Sequence, residues 1–173
     1  MITAKQLSQA IGCPLLRALK WVDYINVAML EYQINTPMRA AHYLAQIGHE
    51  SGRLFYVKEI ASGKAYEGRK DLGNTQTGDG VRFKGRALIQ ITGRANYAEC
   101  SKSLFVDFLN NPELLEKPIF AALSSAWFWK SRGLNELADK DYLTAITKKI
   151  NGGQNGIDDR RTLLISAKKA LGI

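Results

Sequence analysis

The chain is poor in the residues that most metal and nucleophile chemistries require. Its 173 residues include only two cysteines, Cys13 and Cys100, and two histidines, His42 and His49. Two cysteines are too few for a disulfide scaffold, and a lone thiol is most often a small buried apolar group. On one helix the two histidines would stand ~10 Å apart, too far to share an ion. Arg53 occupies the position where a zinc-protease motif beginning at His49 needs its second histidine. Ser51 lacks the preceding glycine of a nucleophile elbow, and Gly78-x-Gly80 meets Phe83 where a dinucleotide fingerprint needs a third glycine. Long hydrophobic runs are missing too. The longest uncharged stretch, Pro118 to Trp129, has twelve residues, whereas a membrane helix needs ~20. The first six residues carry no basic cluster followed by an apolar core, so no export signal is expected and a reducing compartment is favoured. The expectation is therefore no metal, no cofactor and no stable membrane insertion.

What is present is the composition of one globular domain, 46% apolar and 23% charged. Residues 1–173 are read as a single domain, with residues 1–35 a helical part packed on the core and no separate binding module. The formal charge is +8, with the surplus concentrated in residues 61–86 (+3) and 140–173 (+4). Such a balance suits a polyanionic partner such as nucleic acid, anionic lipid or a bacterial envelope polymer. It equally suits a solvated basic surface.

The periodicity predicts a mainly α fold. Thr3 followed by Gln6 fits a capping box for a helix ending at Gly12, and Pro14 opens a second helix to about Tyr32. The apolar residues Leu15, Leu19, Val22, Ile25 and Met29 recur at helical spacing. Thr36-Pro37 begins a third helix, which runs toward Gly48-His49-Glu50-Ser51-Gly52. Six glycines between Gly63 and Gly85 then mark a long loop. Helices are expected through Tyr97 to Ser101, Pro112 to Glu116, Pro118 to Ser131 and Asp141 to Ile150. A last one, capped by Asp158, runs to about Leu171.

Among the carboxylates, Glu50 closes an uncharged stretch of ten residues, 40–49. Apolar surroundings and the negative end of a helix dipole would both favour its protonated form, as a general acid needs. Glu59, nine residues on, enters the loop and suits a base in a wetter setting. Two carboxyls in opposed environments are the apparatus of glycoside hydrolysis. A helix-end carboxylate and a surface residue would show the same spacing.

Three elements in order narrow the choice: Gly48-His49-Glu50-Ser51-Gly52, the run from Lys84 to Tyr97 (Lys-Gly-Arg-Ala-Leu-Ile-Gln-Ile-Thr-Gly-Arg-Ala-Asn-Tyr), and Ile150-Asn151-Gly152-Gly153 with Asp159-Arg160 beyond it. Together they resemble the family 19 glycoside hydrolases, the chitinase-like group, and most closely its single-domain endolysins. The resemblance implies a lysozyme-like helical fold with a glycine-rich active-site loop. It also implies an inverting reaction, with carboxyls ~6.5–9.5 Å apart to admit a water. It makes Glu50 the acid, Glu59 the base and Thr92 the residue that orients water with Glu59. His49, Gln90, Asn96, Tyr97 and Asn151 become sugar contacts, and Arg160, counted with them, also supports the carboxylates. Two features depart from or compete with the family pattern. Ala87 replaces a signature glycine, and Glu67 is a rival base because plant members place theirs further from the acid.

Chitin and the peptidoglycan glycan strand share β-1,4-linked N-acetylated sugars. The short chain, its basic charge and the absent export signal favour peptidoglycan. A lytic monomer would then accumulate in the host cytoplasm and act once the membrane is permeabilised. Chitin oligomers are the alternative substrate. A lysozyme pattern fits less well, with Glu59 where Asp is needed and Ala65 where Thr is needed. A nucleic-acid-binding reading of Arg82, Lys84, Arg86 and Arg94 with Phe83 and Tyr97 is opposed by Glu50, Glu59 and Glu67 beside the same loop, so no nucleic-acid partner is expected. With too few ligands for a catalytic ion, dialysis against a chelator should leave hydrolysis unchanged. Loss of turnover that added zinc restores would overturn the carboxylate reading.

Overall fold

A computed structural model describes residues 1–173, and the chain is mainly helical. Nine helices follow in order: α1 (Ala4–Ile11), α2 (Leu15–Glu31), α3 (Pro37–Glu50), α4 (Asp79–Arg82), α5 (Arg94–Leu104), α6 (Pro118–Ser131), α7 (Leu134–Asp139), α8 (Leu143–Asn151) and α9 (Ile157–Leu171). Extended pairing is limited to two isolated antiparallel bridges, Lys58 with Arg86 and Arg86 with Ile91.

Helix α3 is the axis of the molecule. Every residue from Ala40 to Gly48 is buried, the pattern of a helix enclosed on all sides. It packs against α1, α7 and most extensively α9. The side chains of Ile11 and Leu163 approach Gly48 so closely that a Cβ there would lie 3.3–3.4 Å from them. Glycine at this position lets α1 and α9 close on α3 just before the catalytic candidates. On the other flank Tyr43 meets Trp129 of α6 edge-on, ring centroids 5.5 Å apart. Helix α6 in turn contacts α2, α5 and α7.

The local signals act as the sequence implies. Thr3 and Gln6 form both halves of the capping box, and Gly12 closes α1 in the left-handed conformation. Thr36 caps α3 through the Arg39 amide, with Pro37 in the first turn. Several expectations need correction. In α2 the buried stripe is Ala18, Trp21, Val22, Ile25, Ala28 and Met29, while Leu15 and Leu19 face outward. Pro112–Glu116 is a 3-10 turn, because Pro118 holds Lys117 extended and stops a helix from propagating. Asp141 lies outside α8 with φ +57°. Gly133 ends α6 and also opens a further short helix, α7. Gly156, not Asp158, stands at the N-cap of α9.

Between α3 and α5 the chain is irregular, with 3-10 turns at Lys64–Tyr66 and Lys70–Leu72 and the single turn of α4. Its entry and exit are tied together. Glu59 N–H donates to Gly85 O (2.8 Å), Ala87 N–H to Val57 O (2.9 Å), and Arg86 and Ile91 exchange both backbone bonds. Ala87 is fully buried and has φ +69°, a region that costs an L-residue ~1–2 kcal/mol. That backbone suits the glycine expected in the signature. Ala87→Gly should therefore stay within about 1 kcal/mol of the parent, relief of strain offsetting the lost methyl and added chain entropy. Ala87→Val should cost more than about 2 kcal/mol. Urea unfolding of both variants checks this, and a neutral valine would contradict the left-handed backbone.

Candidate active site

The last turn of α3 and the first turn of α9 meet through side chains. The Arg160 guanidinium, only 1% exposed, donates to Gln46 Oε1 and to Glu50 Oε1. Beside it Asp159 accepts Arg53 through both carboxylate oxygens, at 2.5 and 2.9 Å, and the His49 Nδ1–H at 2.6 Å. The His49 ring lies so close to Gly156 (φ +73°) that a Cβ there would overlap it. The result is two cations, two carboxylates and an imidazole in one interlocked cluster. Glu50 Oε2 makes no hydrogen bond within the protein and is the free acidic position.

The chain that leaves Glu50 turns sharply. Gly52, Arg53 and Leu54 all have positive φ, at 56°, 64° and 62°. Three contacts hold this left-handed turn: Arg53 N–H to Gly48 O (2.7 Å), Leu54 N–H to Ser51 Oγ (2.8 Å) and Arg17 to Arg53 O (3.1 Å). Leu54 is buried. Consecutive left-handed non-glycine residues persist only where the surroundings over-determine them.

Glu59 is held separately. Tyr66 Oη donates to its Oε1 at 3.0 Å and the Gly85 amide to its Oε2 at 3.1 Å. The backbone pairing at Gly85 anchors it to the signature segment, which Arg86 fastens from below. The largely buried Arg86 side chain reaches Glu116 (2.9 Å), Arg82 O (2.8 Å) and Tyr97 Oη (2.9 Å), and Lys58 also pairs with Glu116 at 3.1 Å.

Against the expectations, Glu50 does not sit in apolar surroundings, because a buried guanidinium contacts it directly. Tyr97 cannot touch a sugar. It is fully buried, its hydroxyl donating to Lys84 O (2.7 Å) and accepting from Arg86. Arg160 supports Glu50 as expected, but it is buried, so it is not a sugar contact, and it does not reach Glu59. His49 commits its Nδ1 to Asp159 and stays partly exposed. Glu67 accepts the Gly78 and Gly80 amides, at 2.7 and 2.8 Å, and staples the loop. Thr92, Gln90 and Asn96 remain partly exposed. Thr92 Oγ1 donates to Gln90 O (2.9 Å), so toward a water it offers lone pairs. Gln90 Nε2 donates to Ala87 O (3.3 Å), and Asn96 bridges Thr92 O and Arg132. Asn151 is exposed and braces its own turn through Asn155 O and Gly153 N–H.

Sequence reasoning missed Gln46, Arg53, Tyr66 and Arg132. A buried glutamine inside an uncharged helix was the one available signal, for Gln46. Burial pushes the Cys100 thiol up to about 12 and raises Cys13 too, so neither supplies a thiolate. No group of three or more His, Cys, Asp or Glu side chains is arranged to hold a metal ion.

The profile of the family described as Chitinase class I matches residues 27–153. A Haemophilus influenzae protein described as a glycosyl hydrolase family 19 domain-containing protein is 33% identical over 155 residues, covering 71% of this chain and 75% of that one. An endochitinase of Arabidopsis thaliana is 36% identical over 115 residues, 66% of this chain. An acidic endochitinase of Dioscorea japonica is 31% identical over 117 residues, also 66% of this chain. The chain spans less than half of these plant proteins, 39% and 46% of their lengths. Among solved structures, chitinase C from Streptomyces griseus superposes with a TM-score of 0.78 at 22% identity, over 99% of this chain and 76% of that one. A bacterial family 19 chitinase superposes at 0.76 and 21%, over 99% and 95%. These likenesses establish the fold.

The Asp159 cluster makes a pH prediction. Chiefly the Arg53 guanidinium, with His49 adding to it, holds the Asp159 carboxyl down at about 2. Because the folded value lies below the unfolded one, the carboxylate stabilises the fold fully above about pH 4. That stabilisation is lost as pH falls from about 4 to 2. With 36% of the side chain in water, screening reduces it to about 1 kcal/mol. The stability difference between the parent and Asp159→Asn should shrink by about that amount between pH 4.5 and pH 2. A difference that stays flat would remove the ion pair from the ledger.

Proposed function

The chain belongs to glycoside hydrolase family 19, and from that premise we propose that this chitinase-like glycosidase cleaves β-1,4 bonds of peptidoglycan glycan strands with inversion, as a lytic endolysin. The observation that carries the acid–base assignment is the pair of carboxylates held by separate frameworks, Glu50 by Arg160 of α9 and Glu59 by Gly85 and Tyr66. In this reading Glu50 protonates the glycosidic oxygen as the bond to the anomeric carbon breaks. Glu59 takes a proton from the water that attacks the opposite face, and Thr92 Oγ1 accepts that water's other hydrogen. Gln90 and Asn96 hydrogen-bond the N-acetyl and hydroxyl groups of the sugars, and Asn151 contacts a more distant ring.

The charge of +8 supports peptidoglycan as the substrate, since the bacterial wall is anionic and chitin is neutral. Chitin is the second reading, favoured by the plant relatives described as endochitinases. We place the enzyme, as a monomer, in the cytoplasm until the membrane is permeabilised. Fractionation of expressing cells before and after permeabilisation tests that placement.

Digestion of purified peptidoglycan and of chitin oligomers, with mass analysis of the new reducing ends, separates the substrates. Cleavage of chitin oligomers alone would replace the wall assignment. Glu50→Gln keeps the shape but has no proton to donate, and turnover should fall by ~10²–10⁴. Retention within about tenfold removes Glu50 as acid. Glu59→Ala should be inactive with water and partly restored by azide, giving a glycosyl azide of inverted configuration. Azide rescue at Glu67→Ala instead would move the base to Glu67.

A further inference from the structure

The two donors that hold Glu59 differ in origin. The Gly85 amide belongs to backbone already paired with residues 57–59. The Tyr66 hydroxyl comes from a 3-10 turn with no buried side chain of its own, a segment too short to keep its shape unaided. Other residues fix that turn. Asn74 is fully buried, donates to Tyr66 O at 2.9 Å and accepts the Arg94 amide at 2.8 Å, which ties the turn to the start of α5. Glu67, the next residue along, spans the loop to the Gly78 and Gly80 amides. A Cβ at Gly63 or Gly80 would strike the facing backbone, so the two strands of the loop lie in direct contact there. The glycines of this loop therefore permit close backbone packing, and the closed frame presents the Tyr66 hydroxyl to Glu59.

One donor on one oxygen leaves a carboxylate free to swing about its terminal bond. Donors on both oxygens fix its plane, and with it the direction of the lone pairs that must receive a proton. Partial burial, reinforced by Glu59, pushes the Tyr66 phenol pKa up, so its O–H remains a donor.

We propose that Tyr66 is the positioning residue of the general base: its hydroxyl, aimed by the stapled glycine-rich loop, orients Glu59 toward the attacking water. This rests on the assignment of Glu59 as base, and the test separates the two. In the parent, Tyr66→Phe should lower kcat about tenfold, the worth of a hydrogen bond to a charged group, with KM within about twofold. In Glu59→Ala supplied with azide no base has to be oriented. Adding Tyr66→Phe there should change the azide-dependent rate by less than about twofold. Glu67→Ala, which frees the loop, should lower kcat in the parent and add little once Tyr66 is already Phe.

An equal fall in the azide-dependent rate on adding Tyr66→Phe would make the tyrosine a substrate contact or a fold element, and would overturn the proposal. An unchanged kcat in the single variant would overturn it as well. Additive effects of Glu67→Ala and Tyr66→Phe would sever the loop from the tyrosine. If Glu59→Ala itself keeps turnover with water, the base assignment fails, a result distinct from each of these.

Discussion

Arg160 is the residue on which the arrangement of the site depends. Its guanidinium is enclosed between two helices, and its Nε finds no partner there. A buried cation with an unsatisfied donor is a poor way to gain stability, and an apolar substitute of similar volume is often as stable or more so. What the guanidinium supplies is position. Through Gln46 and Glu50 it locks the last two turns of α3 against the first turn of α9. Removing only the cation would leave a half-buried carboxylate and a buried amide without their partner, the costly case. Asp159 completes the same clamp one residue earlier by engaging His49 and Arg53. Consecutive residues on one helix turn thus hold Glu50 and the strained reversal that follows it.

The second carboxylate answers to a different part of the chain. Glu59 is set by backbone pairing between residues 57–59 and 85–87, and the Arg86 guanidinium braces that pairing beneath. Neither set of contacts runs through the other. A shift in α9 would move Glu50 and leave Glu59 in place, and a disturbed loop would do the reverse. In the inverting reaction proposed for the pair, the gap between the two groups must admit one water, and separate rigid supports would hold that gap.

The helices were legible because their signals are local. Thr3 with Gln6, Thr36 with Pro37, and Gly12 and Gly133 act on residues a few positions away, where spacing is information enough. The apolar pattern of α2 misled because leucines on its outward face share the helical period of the buried stripe. At the site, the motif elements pointed to Glu50 and Thr92 and the nine-residue spacing to Glu59, and the structure leaves Glu50 Oε2 without a protein partner and Thr92 partly exposed. Tyr97 and Arg160 illustrate what spacing could not tell. Both occur in motifs, yet their roles depend on burial, set by contacts with residues 11 to 114 positions away. Tyr66 and Arg53 carried no signal at all, since a tyrosine in a glycine-rich loop and an arginine after a serine-glycine pair look like ordinary surface residues.

The separation between Glu50 and Arg160 also bears on how the protein is made. The pair is 110 residues apart in the chain, and at ~5–20 residues per second a ribosome needs on the order of ten seconds to cover that distance. Until α9 has emerged and docked, the nascent chain carries a finished α3 whose terminal carboxylate has no cation to fix it. The long-range pairing raises the entropic cost of reaching the native state, and it ties competence to completion. A ribosome stalled anywhere between Glu59 and Arg160 leaves a polypeptide that holds both carboxylates and lacks the clamp.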